Sequence, residues 1–162
     1  MFVYSVRAST VKFVGFIILT VVLLIGVTVF ASDDSVLASS SAINADYSGV
    51  RTAEERIAFI ESFGIKVEAE AVEERSFPIP ENFDRVILGY NELQKKQGLD
   101  LSKYSKKRVT RYTYRITNYQ YEGDVYANIF VFRGKVVACD VSSADPEGFV
   151  EPLTLVDKTK LK

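Results

Sequence analysis

The chain has no histidine and no tryptophan, and only one cysteine and one methionine among its 162 residues. Without histidine, a Ser-His-Asp triad, a Cys-His dyad and imidazole metal ligation are all impossible. The lone Cys139 excludes an intramolecular disulfide and a thiolate zinc cluster. A domain of this size can fold on its hydrophobic core alone, so the lack of disulfides does not argue against an extracytoplasmic address. An excess of one charge is missing too. Twenty basic residues against 21 acidic ones leave a net charge of -1, which offers no electrostatic case for nucleic acid as a partner.

What is present begins with a long apolar run. Phe13 to Ala31, FVGFIILTVVLLIGVTVFA, carries no charge over 19 residues. At about 1.5 Å of rise per residue it extends nearly 30 Å, the thickness of a bilayer core. Arg7 and Lys12 precede it, and Asp33 and Asp34 follow. That asymmetry orients residues 1–12 to the cytoplasm and the rest of the chain outward. The run exceeds the usual apolar stretch of a signal peptide, which favours a retained single-pass signal anchor at residues 13–31. Val29 and Ala31 keep cleavage after Ala31, and hence secretion, as the alternative. Residues 32–50, rich in serine and without periodicity, read as a flexible linker.

The remainder, residues 51–155 with a short tail at 156–162, reads as one α+β domain. Thr52 and Glu55 stand at capping-box spacing ahead of a helix with Ala53, Ile57 and Ile60 on one side. Strict alternation predicts a half-buried edge strand over Ile65–Ala71. After Pro78 and Pro80, the stripe Phe83, Val86, Ile87, Tyr90 and Leu93 predicts a second helix, closed near Gly98. Three antiparallel strands follow: Lys107–Asn118, Asp124–Phe132 and Lys135–Ser142, the last two joined by a two-residue turn at Arg133-Gly134. The expected architecture is therefore a transmembrane helix, then helix-strand-helix and a three-stranded antiparallel meander, with both helices packed on one face of the sheet. In the simplest hairpin register, Tyr126, Phe130 and Phe132 share a face with Val137, Cys139 and Val141; a glycine bulge at the turn would shift that pairing by one residue.

Three stretches, YNELQKKQGLDLSKY (Tyr90–Tyr104), RYTYRITNY (Arg111–Tyr119) and ANIFVFRGKVVACDVSSADPEGF (Ala127–Phe149), together resemble an uncharacterised family of small membrane-anchored proteins from clostridia and related Gram-positive bacteria, a DUF4830-like domain of unknown function. The resemblance spans roughly residues 52–153. It implies an address and an architecture, and no catalytic or binding residues. The strands around Arg133-Gly134 also resemble, faintly, small exported modules that bind or inhibit peptidases.

Candidate sites are few. Cys139, alternating with Val137 and Val141 and lacking an imidazole to activate it, reads as a small buried hydrophobe. Glu68 and Glu70 would share a strand face at a spacing that carboxylate-pair hydrolysis could use, but the acidic run through Glu74 reads better as a solvated edge. Lys106, Lys107, Arg108, Arg111 and Arg115 form a basic stretch that could face anionic lipid or a cell-wall polymer, or could neutralise the acidic first half of the domain. Tyr126, Phe130 and Phe132 could form an aromatic platform for a peptide or glycan, or could line the core. No cofactor and no metal is expected. The leading expectation is a non-enzymatic interaction module tethered outside the membrane and bound to a cell-envelope protein, peptide or anionic polymer. A carboxylate-based envelope hydrolase and a structural envelope component are the alternatives.

Overall fold

The computed structural model describes residues 45–162; the expected cytoplasmic segment 1–12, the transmembrane helix 13–31 and most of the linker lie outside them. No helix among the described residues is long and apolar enough to cross a membrane. The elements run α1 (Ala53–Glu61), β1 (Glu73–Pro78), α2 (Arg85–Lys95), β2 (Arg108–Arg115), β3 (Val125–Phe132), β4 (Lys135–Ser143) and β5 (Val150–Pro152), with short 3-10 turns at Leu101–Tyr104, Leu153–Leu155 and Lys158–Lys160. The strands form one five-stranded antiparallel sheet in the order β1-β2-β3-β4-β5.

This corrects the expected helix-strand-helix and three-stranded meander in three respects. The alternating Ile65–Ala71 is not a strand; its backbone pairs only at an isolated bridge, Val67 to Ile116, while Ile65 is buried in the core and Val67 and Ala71 pack against it. The first strand is the polar EERSFP instead, which pairs fully with β2 from Glu73–Thr113 to Pro78–Arg108. Cross-strand pairing has overridden local alternation there, since β2 supplies a complete ladder of partners. A fifth strand, too short to be read from pattern, closes the other side. Finally, the two helices lie on opposite faces of the sheet. Phe59 and Ile60 of α1 join the core over Val125, Ala127, Ile129, Cys139 and Val141. Tyr90 of α2 meets Phe130 on the reverse face, ring centroids 5.8 Å apart.

The β3-β4 hairpin explains the register. Arg133 and Gly134 both have positive φ, 51° and 76°, the signature of a tight two-residue turn that matches strand twist. An extra residue, Val137, then bulges out of β4, so Val131 pairs with Val136 but Phe130 pairs with Ala138. Beyond the bulge, Cys139 and Val141 therefore join Ile129 and Ala127 rather than Phe130 and Tyr126. Cys139 is fully buried, and burial pushes its thiol well above the ordinary range.

α1 begins with the reciprocal capping box of Thr52 and Glu55 and is held over the sheet by Arg56, which stacks 3.7 Å over the Tyr112 ring and donates to the Tyr114 hydroxyl at 3.0 Å. Residues at both ends of the described chain also enter the fold. Val50 is buried in the core, and Tyr47 packs against it. Val156 is buried, Leu161 bridges to Tyr119, and Lys162 donates to the Asn118 carbonyl.

β5 covers only Asp140–Ser142 of β4, so the rest of that buried strand needs other hydrogen-bond partners. The Val136 amide donates to the Tyr47 carbonyl at 2.7 Å, and the Gly134 carbonyl accepts from Val50. At Cys139, α2 and the residues just after it supply the partners. The Cys139 amide donates to Gln94 Oε1 at 2.9 Å, and its carbonyl accepts from Gln97 Nε2 at 2.6 Å. Gln97 Oε1 also accepts from the Thr154 amide and hydroxyl. Replacing Gln97 with Leu removes the partner of the buried Cys139 carbonyl and of the half-buried Thr154 amide. The expected cost is about 2–3 kcal/mol in chemical denaturation, against little change for an exposed glutamine such as Gln120→Leu.

Gly89 sits inside α2, where a Cβ would meet nothing within 4 Å. Gly89→Ala should therefore stabilise the domain by about 1 kcal/mol, seen as a rise of roughly 4 °C in thermal unfolding. A fall in melting temperature would mean that the glycine permits a close approach by another chain or ligand.

Candidate functional site

The face of the sheet that α2 covers carries Glu73, Arg75 and Phe77 from β1, Arg111 and Thr113 from β2, Tyr126, Asn128, Phe130 and Phe132 from β3, and Ala138, Asp140 and Ser142 from β4. Its far end is filled: Phe130 packs edge-on to Phe77, and Phe132 against Tyr104, around the buried Ile79, Leu101, Val109, Val137 and Ala138. Toward the other end α2 does not close on the sheet. A cleft of about 810 Å³ remains, with Val86, Ile87 and Tyr90 of α2 on one wall and Glu73, Phe77, Arg111, Thr113, Tyr126, Asn128, Phe130 and Asp140 of the sheet opposite. Val72, 53% exposed, stands at its rim. A concave, mostly apolar cleft with a few convergent polar groups is the usual form of a binding site.

Those polar groups make one chain of hydrogen bonds across three strands and the helix. Thr113 Oγ1 donates to Asn128 Oδ1 at 2.8 Å; Asn128 Nδ2 donates to Asp140 Oδ2 at 2.8 Å and to Ser142 Oγ at 3.0 Å; and the Tyr90 hydroxyl donates to Asp140 Oδ1 at 2.6 Å. Beside it, Arg111 forms an ion pair with Glu73. Asp140 is only 4% exposed. Burial raises its carboxyl above the ordinary value, against the opposing pull of the Tyr90 and Asn128 hydrogen bonds and the Arg111 charge. Burial, reinforced by Asp140, holds the Tyr90 phenol well above its ordinary value, so it remains a proton donor throughout the physiological range. The tyrosine thus straps the middle of α2 to β4 and props the helix over the cleft.

Of the residues singled out by sequence, Tyr126, Phe130 and Arg111 line this cleft, and Phe132 lies on the same face beyond it. The basic stretch is dispersed. Lys106 pairs with Glu81, Arg115 pairs with Asp124, and Lys107 and Arg108 are exposed near the Pro78 end. Arg108 and Arg115 stand at opposite ends of β2, roughly 23 Å apart by the rise of a strand. Glu68 and Glu70 are exposed and outside the sheet. Sequence reasoning missed Asp140, Asn128, Tyr90 and Glu73. The available signal was a polar residue inside each of two apolar strands: Asn128 in VYANIFVF and Asp140 in KVVACDVSS. Among the described residues, no three acidic or cysteine side chains gather into a possible metal site.

Fold and cleft together define a small domain with a five-stranded antiparallel meander and a helix propped over one sheet face. Residues 59–141 match the model of a domain of unknown function, DUF4830, and the chain belongs to that family. No curated protein and no solved structure matches it.

The carboxyl of Asp140 makes stability depend on pH in a definite direction. With its folded value raised, the native state holds the proton more tightly than the unfolded chain does. Its contribution is therefore most favourable at low pH, and is lost as pH rises from the ordinary carboxylate range through the raised value. The stability of the natural protein relative to Asp140→Asn should fall across that window. Parallel denaturation series from pH 4 to 8 test this; a difference that grows with pH would reverse the assignment.

Proposed function

We propose that this protein is a non-enzymatic binding module, held outside the cytoplasm by residues 13–31, whose cleft receives a segment of a cell-envelope protein or peptide. The observation that carries the reading is the cleft between α2 and the sheet, with apolar walls and a hydrogen-bonded polar floor. Its size is that of sites which enclose a few side chains. The uncharged run Phe13–Ala31 and the serine-rich linker support a tether with reach.

A polypeptide fits better than an anionic polymer. The basic side chains that a polymer would need are spread from Lys106 to the end of β2 at Arg115, and three of the five are paired with acidic neighbours. The exposed, off-sheet position of Glu68 and Glu70 gives no support to a hydrolase built on that pair.

A photo-crosslinking residue at Ile87, in the full chain expressed in intact cells, tests the reading. A discrete adduct with one envelope protein, removed by a cleft-filling Val86→Trp, is the expected outcome. A yield no higher than that from the same probe at exposed Glu61, on the other helix, would count against a binding role for the cleft.

A further inference from the structure

Asp140 is costly where it stands. The loss of hydration when a carboxylate leaves water must be offset by hydrogen bonds and by a cation. Its two oxygens accept hydrogen bonds from Tyr90 and Asn128, the Ser142 hydroxyl bonds the same carboxyl, and the Arg111 charge acts on it; an ionised carboxylate offers about four acceptor positions, so one is left. Two carboxylates, Glu73 and Asp140, line the cleft against one guanidinium, Arg111, and that guanidinium is paired with Glu73. With all three ionised, these lining groups sum to one negative charge between apolar walls; Arg75 stands beside Arg111 on the same sheet face, outside the lining. Several of its walls are aromatic: Tyr90, Tyr126, Phe77 and Phe130. Aromatic faces around a carboxylate favour an organic cation, and apolar walls favour a cation carried on a long methylene stem.

We infer that the cleft recognises a lysine side chain flanked by apolar residues in a partner polypeptide, with the ammonium seated at Asp140. This rests on the cleft being a binding site and specifies what it takes. The flanking residues lie against Val86 and Ile87 and the rim residue Val72, and the lysine stem runs along Phe130 toward the polar floor. An ammonium suits this floor better than a guanidinium does. Each Asp140 oxygen already holds a donor, so no open pair of parallel acceptors faces a planar fork, whereas a compact ammonium needs only one remaining lone-pair direction. Specificity then comes from charge at the floor, and affinity from the walls.

The test uses the full chain in lipid nanodiscs and three capped pentapeptides, Ala-Val-X-Val-Ala, in which X is lysine, norleucine or glutamate. Binding is read from chemical-shift changes of a fluorine label on Tyr126. The lysine peptide should bind at least about tenfold tighter than the norleucine peptide, and the glutamate peptide weakest of all. Asp140→Asn should bring the lysine and norleucine peptides to similar affinities. The comparison within the unsubstituted protein stands even if that variant folds poorly. Norleucine or glutamate binding as tightly as lysine overturns the cation assignment while leaving the cleft a binding site. Failure of all three peptides to bind at millimolar concentration overturns the lysine assignment as well. The broader binding-module reading fails separately, only if the Ile87 probe captures nothing above its control.

Discussion

How the open edge of β4 is satisfied governs the whole domain. This strand is the most deeply buried of the sheet, yet its neighbour β5 reaches only three of its residues. Buried amides and carbonyls without partners would cost more than the marginal stability of a domain this size allows. Three unrelated pieces of chain supply those partners. The segment around Tyr47 and Val50 serves one end, β5 serves the other, and the glutamine pair Gln94 and Gln97 serves the middle. The glutamines act as a sheet partner made of side chains, and in doing so they fix the C-terminal end of α2 to the sheet.

The cleft follows from that attachment. With α2 anchored at Gln94 and Gln97 and strapped at Tyr90, its first turns, bearing Val86 and Ile87, overhang the strands instead of lying on them. The same helix therefore has two roles along its length. Its last turns seal an edge, and its first turns form a wall. The buried polar chain from Thr113 through Asn128 to Asp140 holds β2, β3 and β4 in register on this face, because a slip of one residue would send each of these side chains to the opposite core.

The opposite face is ordinary by comparison. It is packed with Val125, Ala127, Ile129, Cys139 and Val141 under α1, and its polar accents are peripheral, as where Arg56 reaches Tyr112 and Tyr114. Cys139 belongs to this packed side, and its backbone matters more than its thiol, since its amide and carbonyl are where α2 is tied on.

Elements whose signals are local were legible in the amino-acid sequence. The Thr52–Glu55 cap, the α2 stripe, the Arg133-Gly134 turn and the two apolar strands beside it could all be read in place, because caps, turns and periodicity act over a few residues. The aromatic residues Tyr126 and Phe130 were legible as one face for the same reason. Long-range pairing settled the rest. The polar EERSFP became an edge strand, and the better-patterned Ile65–Ala71 did not, because β2 offered its partners to the former. The bulge at Val137 moved Cys139 and Val141 to the other face and placed Asp140 opposite Asn128. The side chosen by each helix, and with it the cleft, came from which buried backbone groups needed partners. Such demands arise only between segments distant in the chain, so no window of sequence displays them.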